Sequence, residues 1–172
     1  MTAQASERII IDGQMERMPF CPPLPNETYF QEDTPEDFSI LRSSACWRGY
    51  VALWKIEDDK LYFVDIQGKH KLKDKTSIFA DWFTGTLKIW KGKMVYYFHG
   101  GFDSIYEYDL YIEVENGVVK TQRTQDNTGK KWDWDAFWIY HHGCTMAESI
   151  AKRSATDFLF SNDLPGLTKK ED

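Results

Sequence analysis

The sequence predicts a mainly β protein (β-rich α+β): a strongly bent antiparallel sheet or partly closed barrel, with a helix at its C-terminal end. Three observations carry that expectation. Residues 105–114 alternate, Tyr106, Tyr108, Leu110, Ile112 and Val114 on one parity and Glu107, Asp109, Tyr111 and Glu113 on the other. Successive strand residues point to opposite faces, so this run has one apolar face and one mixed face. Asn116-Gly117 follows at once, and Asn-Gly between alternating runs is the strongest short-range hairpin signal. Aromatic residues make up 16% of the 172 residues, a share that suits a thick sheet-based core. Six or more short strands joined by tight turns then favour a curved, partly closed sheet.

In chain order, one domain spans residues 1–172: an irregular N-terminal arm (1–43), an antiparallel core (44–123), and a Trp-rich segment with a C-terminal helix (124–172). Residues 8–18 hold a short apolar run and Asp12-Gly13, which predict a small hairpin leading into the domain. Residues 19–25 contain four prolines, which cannot donate to a sheet ladder, so they form an extended connector laid over the core by Phe20 and Leu24. Thr34-Pro35 suits the first turn of a short helix. Residues 50–56 alternate as a strand, Asp58-Asp59 turns the chain, and the nearly continuous apolar run 61–66 reads as a strand covered on both sides. Lys69, Lys71, Lys73 and Lys75 mark a solvated basic loop, or an edge strand whose lysines deter mispairing.

Residues 82–90 predict a strand with Phe83, Leu87 and Ile89 on one face and Trp82 and Trp90 on the other. Lys91-Gly92-Lys93 predicts a turn, and residues 94–99 a further strand that breaks at Gly100-Gly101. Beyond the Asn116-Gly117 hairpin, residues 118–123 return. Trp132, Trp134 and Trp138 mark an extended segment, and residues 145–160 have the mixed apolar and charged pattern of a helix.

Composition narrows the function classes. A net charge of −6 argues against general nucleic-acid affinity, which needs a basic surface, and favours a basic partner. No stretch has the length and apolarity of a membrane helix, and residues 1–15 lack a secretory pattern. Cys21, Cys46 and Cys144 are odd in number and far apart, which reads as reduced thiols in a cytoplasmic protein. Neither a phosphate-binding glycine motif nor a close cysteine pair is present, so no cofactor and no metal is expected.

The segments Ala45-Cys46-Trp47-Arg48-Gly49-Tyr50, Ala80-Asp81-Trp82-Phe83-Thr84-Gly85-Thr86-Leu87 and 104–110 resemble a family of uncharacterised bacterial proteins of similar size. The resemblance covers residues 44–119 and implies a bacterial cytoplasmic origin, not a reaction. The chain is also similar in style to the immunity proteins that accompany bacterial toxins.

The candidate chemistry has plainer alternatives beside it. His141-His142 with Cys144 is the one place for nucleophilic or metal chemistry, but adjacent strand residues face opposite ways. Glu107, Asp109 and Glu113 form either a wet sheet face or, turned inward, a general acid and base pair. Arg48 beside Trp47 suits a fork onto a buried carboxylate such as Asp81, or onto a ligand carboxylate. No catalytic residue is assigned. The binding candidates are Trp47, Arg48, Trp82, Trp90, Tyr96, Phe98 and Tyr111, because both sheet faces carry aromatics and the second set needs a cover. The leading expectation is a non-enzymatic protein-binding module, an immunity-type inhibitor of a basic toxin domain. The alternatives are a small-molecule barrel with an aromatic cavity for an apolar ligand, and an enzyme using barrel carboxylates. The oligomeric state is left open.

Overall fold

In a computed structural model, residues 2–32, 43–68 and 70–129 are described. The chain divides into two compact units, Met1–Thr128 and Gly129–Asp172, and all the strands described here belong to the first. The helix expected after residue 33, the Trp132–Trp138 segment, His141, His142, Cys144 and the expected C-terminal helix lie outside the described residues.

Among the described residues, ten strands follow one another. β1 (Glu7–Ile11) and β2 (Gln14–Met18) form a hairpin around Asp12-Gly13, whose φ angles of 51° and 76° match the two-residue turn that such a pair specifies. The connector from Pro19 has no regular structure until a 3-10 turn at Glu27–Tyr29, and Phe20 and Leu24 pack against the core. β3 (Phe30–Glu32) pairs with β6 (His70–Leu72) in a small separate sheet, so part of the lysine-rich segment is strand. β4 (Tyr50–Glu57) and β5 (Lys60–Gly68) are joined at Asp58-Asp59, and β7 (Ile78–Phe79) is a short addition to β5. β8 (Gly85–Tyr96), β9 (Ile105–Glu115) and β10 (Val118–Asp126) complete the chain of strands.

The large sheet runs β10-β9-β8-β2-β1-β4-β5-β7, and β10 also pairs with β5, which bends the sheet into a partly closed ring. Closure rests on Val118 opposite Lys60, with Leu61 N–H donating to Gly117 O and Val119 N–H to Asp59 O. Every pairing is antiparallel except β1 with β4, which is parallel. The N-terminal hairpin is therefore part of the ring, not an irregular arm: it supplies the two strands that link β8 to β4.

Two local expectations change. Lys91-Gly92-Lys93 is not a turn. β8 continues through it, and Gly92 at φ 78° forms a bulge opposite Glu107. The Glu107 carboxylate accepts a hydrogen bond from Lys93 N–H at 2.8 Å, which satisfies a donor that the bulge frees from the ladder. Trp82 is not in a strand either. It sits in a turn before β8, and its indole N–H donates to Pro23 O at 2.9 Å.

Side chains from β1, β2, β4, β5, β8 and β9 fill the inside of the ring. Ile9, Met18, Trp54, Leu61, Phe63, Leu87 and Ile89 have no exposed surface, and Ile112 is at 1%. Trp54 and Phe63 meet edge to face at 5.1 Å, a favoured arrangement of ring quadrupoles. Burying each such side chain contributes roughly 1.5–3 kcal/mol, so the packed interior is the main source of stability.

Candidate functional site

The polar residues around Glu7 serve the fold. Glu7 is 1% exposed, and burial raises its carboxyl above the ordinary 4.5. The Arg48 guanidinium opposes that rise, with its Nε 2.8 Å from Oε1, and Ala52 N–H donates to Oε2 at 2.6 Å. The Trp54 indole also lowers the value, without a hydrogen bond of regular geometry. Arg48 spends a second donor on Ala5 O at 2.8 Å and covers the Tyr50 ring. Its carboxylate partner is thus Glu7 and not Asp81. Cys21 lies close to this cluster, and burial pushes its thiol up to about 11, so it is a weak nucleophile at neutral pH.

The three carboxylates of β9 do not converge. Glu107 serves the bulge, and Glu113 accepts from the Thr121 hydroxyl at 2.9 Å. Asp109 is buried, not wet: Lys88 Nζ lies 3.2 Å away, and Asn127 Nδ2 donates to it at 3.1 Å. An acid and base pair needs two carboxyls facing one reacting bond, and each of these has a separate structural partner. Among the described residues, no group of three or more His, Cys, Asp and Glu side chains is placed to hold a metal ion.

Among the described residues, a cleft of about 720 Å³ lies against the outer side of the ring. Strand register explains its position. Trp90 pairs with Arg17, Arg17 with Arg8, Arg8 with Leu53, and Leu53 with Asp65. Residues paired across a ladder share a face. Their neighbours Ile9, Ile89 and Trp54 point inward, so this row points outward. Arg8, Arg17 and Trp90 line the cleft, together with Val51 and Gln67, two residues further along β4 and β5. Residues 3–6 and Tyr97, Gly101 and Ser104 bound it elsewhere. The N-terminal segment is held there by Gln4 N–H to Gly101 O at 2.8 Å and Ala5 N–H to Ala45 O at 2.7 Å.

Trp90 stacks on Tyr106 at 4.6 Å with an interplanar angle of 18°, and Arg17 Nη1 donates to the Tyr106 hydroxyl at 3.1 Å. That is the only polar contact of Arg17 among the described residues, and Arg8 has none. No Asp or Glu is among the described residues that line the cleft.

Of the seven binding candidates, Trp90 alone lines this cleft. Tyr111 shares its outer face and carries the Arg123 guanidinium 4.2 Å above its ring. Tyr96 is buried, and that burial raises its hydroxyl. Phe98 is half-buried where Ser104 Oγ accepts its N–H at 3.1 Å. Trp82 borders a separate hollow with Tyr29 and Phe79. Trp47 stands 67% exposed, apart from the others, and Arg48 is engaged by Glu7. Sequence reasoning missed Arg8, Arg17, Val51, Tyr97 and Tyr106. Arg8 and Arg17 did carry a signal: they are equidistant from the Asp12-Gly13 turn, so the hairpin alone places them side by side.

This architecture defines a β-ring with a packed interior and an external cleft. No protein-family profile, curated protein or solved structure matches the chain.

Proposed function

We propose that the protein is a non-enzymatic binding module that takes its ligand in the external cleft. The observation that carries this reading is the contrast between a ring interior filled by Trp54, Phe63, Leu87 and Ile89 and an open volume of about 720 Å³ on its outer side. A cavity of that size falls within the range of small-molecule sites, which combine apolar walls with a few placed polar groups. The aromatic cavity expected inside the barrel is occupied by the protein's own side chains, so the small-molecule reading moves to the outside. A thermal-shift screen of acids, bases and neutral compounds tests it. Ligands should raise the melting temperature by mass action, and Val51→Trp, which pushes a bulky ring into the cleft from its wall, should diminish the rise. A rise undiminished by this substitution contradicts the proposal.

A second reading keeps the immunity-type inhibitor. Trp47, Met94, Val95, Tyr97 and Tyr108 are exposed on a chain of net charge −6, a combination suited to a basic protein partner with aromatic hot spots. Free Cys21 and Cys46 suit a reducing, cytoplasmic setting for either reading. Purification from the native host under gentle conditions should recover a stoichiometric basic partner that Trp47→Ala releases. A chain that stays alone contradicts this second reading.

A further inference from the structure

We infer that the ligand of the external cleft is a small organic anion, whose carboxylate or phosphate is held between Arg8 and Arg17 and whose apolar body lies along Val51, Met94 and Tyr97. The inference rests on the cleft being the binding site and adds the chemistry of what enters it.

Arg8 and Arg17 are direct cross-strand partners on one face of β1 and β2. Like charges directly opposite each other on an antiparallel pair are destabilising. Proteins ordinarily relieve such a pair with a carboxylate beside it, and this chain has 27 Asp and Glu residues to draw on against 21 Lys and Arg. None is used here. The nearest carboxylates in the same row are Asp65, beyond Leu53, and Asp109, beyond Trp90. Each is two strand spacings away, roughly 10 Å between backbones; Asp65 borders a small hollow with Arg8, yet it forms no ion pair with either arginine. Asp109 is in any case neutralised by Lys88 at 3.2 Å.

Arg17 bonds only to a neutral phenol, and Arg8 to nothing among the described residues. Both side chains are exposed, so all five donors of Arg8 and the four of Arg17 not engaged by Tyr106 face the cleft or water. Two planar forks on one face suit a carboxylate or phosphate, which can bridge them and cancel their repulsion. Tyr106 fixes Arg17 from behind through its hydroxyl and is itself fixed by stacking on Trp90. That preorganisation lowers the ordering cost of binding. The rest of the wall sets the ligand's other half: Val51, Ile66, Met94 and Tyr97 are apolar, so a purely inorganic anion leaves them uncovered.

The test uses the full chain and three probes: naphthalene-2-carboxylate, its neutral amide, and inorganic phosphate, measured by calorimetry at low and high salt. The carboxylate should bind at least about tenfold more tightly than the amide, as a charged fork requires, and should weaken as salt rises. It should also bind more tightly than phosphate, which lacks the apolar body. Arg8→Gln and Arg17→Gln should each lower carboxylate affinity about tenfold, and Arg8→Lys should retain part of it. Arg8→Gln should also raise the melting temperature of the unliganded protein, because it removes the repulsion. Both variants replace exposed side chains, so the fold survives them. Equal binding of amide and carboxylate in the cleft would overturn the anion assignment while leaving the cleft as a site. Phosphate binding as tightly as the carboxylate would overturn the apolar half. A lower melting temperature in Arg8→Gln would overturn the charge argument, and binding of none of the probes would overturn the inference. Failure of the wider screen as well would remove the cleft itself.

Discussion

Replacing Gly117 by alanine should cost far more than the same change at Gly13, and the difference measures how tightly the ring is closed. The two positions are matched. Each is the second residue of a two-residue hairpin turn, with φ pairs of 51° and 76° at Asp12-Gly13 and 49° and 77° at Asn116-Gly117. Alanine at a positive φ costs about 1–2 kcal/mol at either site. The surroundings differ. A Cβ at Gly13 meets nothing within 4 Å, whereas one at Gly117 meets Ala80 O at 2.6 Å and Ala80 C at 2.8 Å. Those are backbone atoms, and Ala80 is tied to Leu61 O by its own N–H at 2.9 Å, so it cannot simply recede. Forced overlap of this kind adds about 1–3 kcal/mol. Gly13→Ala should therefore lose about 1–2 kcal/mol and Gly117→Ala about 2–5 kcal/mol. Urea unfolding of the two variants and the parent, compared at constant m-value, provides the numbers. Equal losses would refute the docking of the β9–β10 turn against β5 and β7, and with it the closure of the ring.

Other consequences follow from the buried groups. Arg48→Met should destabilise by about 3–5 kcal/mol near neutral pH, because it leaves the Glu7 charge buried without its partner. The loss should shrink as pH falls. Burial raises Glu7 above 4.5 in the folded protein, so between 4.5 and the folded value the native state holds more protons than the unfolded chain. Glu7's contribution is then fully present below 4.5 and is lost as pH rises through the folded value. Removing Arg48, which lowers the folded value, widens that window. Urea titrations at several pH values check the sign; a loss that grows on acidification contradicts it. Leu87→Ala, at a side chain with no exposed surface, should cost about 2–5 kcal/mol by cavity formation. Trp47→Ala, at 67% exposure, should stay within about 0.5 kcal/mol in the same assay.

Local patterns carried most of the fold. The alternation in β9 and the Asn116-Gly117 turn are properties of a few adjacent residues, and both stand in the structure. Gly92 shows the limit of such reasoning, because a glycine between two lysines has the same local chemistry in a hairpin loop as in a bulge. What decides is Glu107 on the neighbouring strand, 15 positions away. The apolar run of β5 has a similar cause. A register shift opposite Leu53 and Trp54 lets Phe63 and Ile66 both be buried despite opposite parity, so the run lost its alternation. The parallel pairing of β1 with β4 and the Glu7–Arg48 bridge join residues about 40 apart, and no short-range pattern encodes them.

The site was the less legible part. Aromatic residues dominate the seven candidates, yet three of the seven are engaged within the fold: Tyr96 is buried, Trp82 is bonded to Pro23, and Arg48 is bound to Glu7. The cleft is defined instead by two arginines whose adjacency depends on hairpin register and whose isolation from carboxylates depends on strand order. Strand order around the ring is a tertiary property.

The central claim, that a filled ring displaces recognition to its outer side, is tested most directly by mapping amide and indole NMR shifts while naphthalene-2-carboxylate is titrated in. The shifts should converge on Arg8, Arg17, Val51, Trp90 and Tyr97 and leave Trp54, Phe63 and Leu87 unmoved. Shifts concentrated on Trp54 and Phe63 would put the ligand inside the ring and contradict the account.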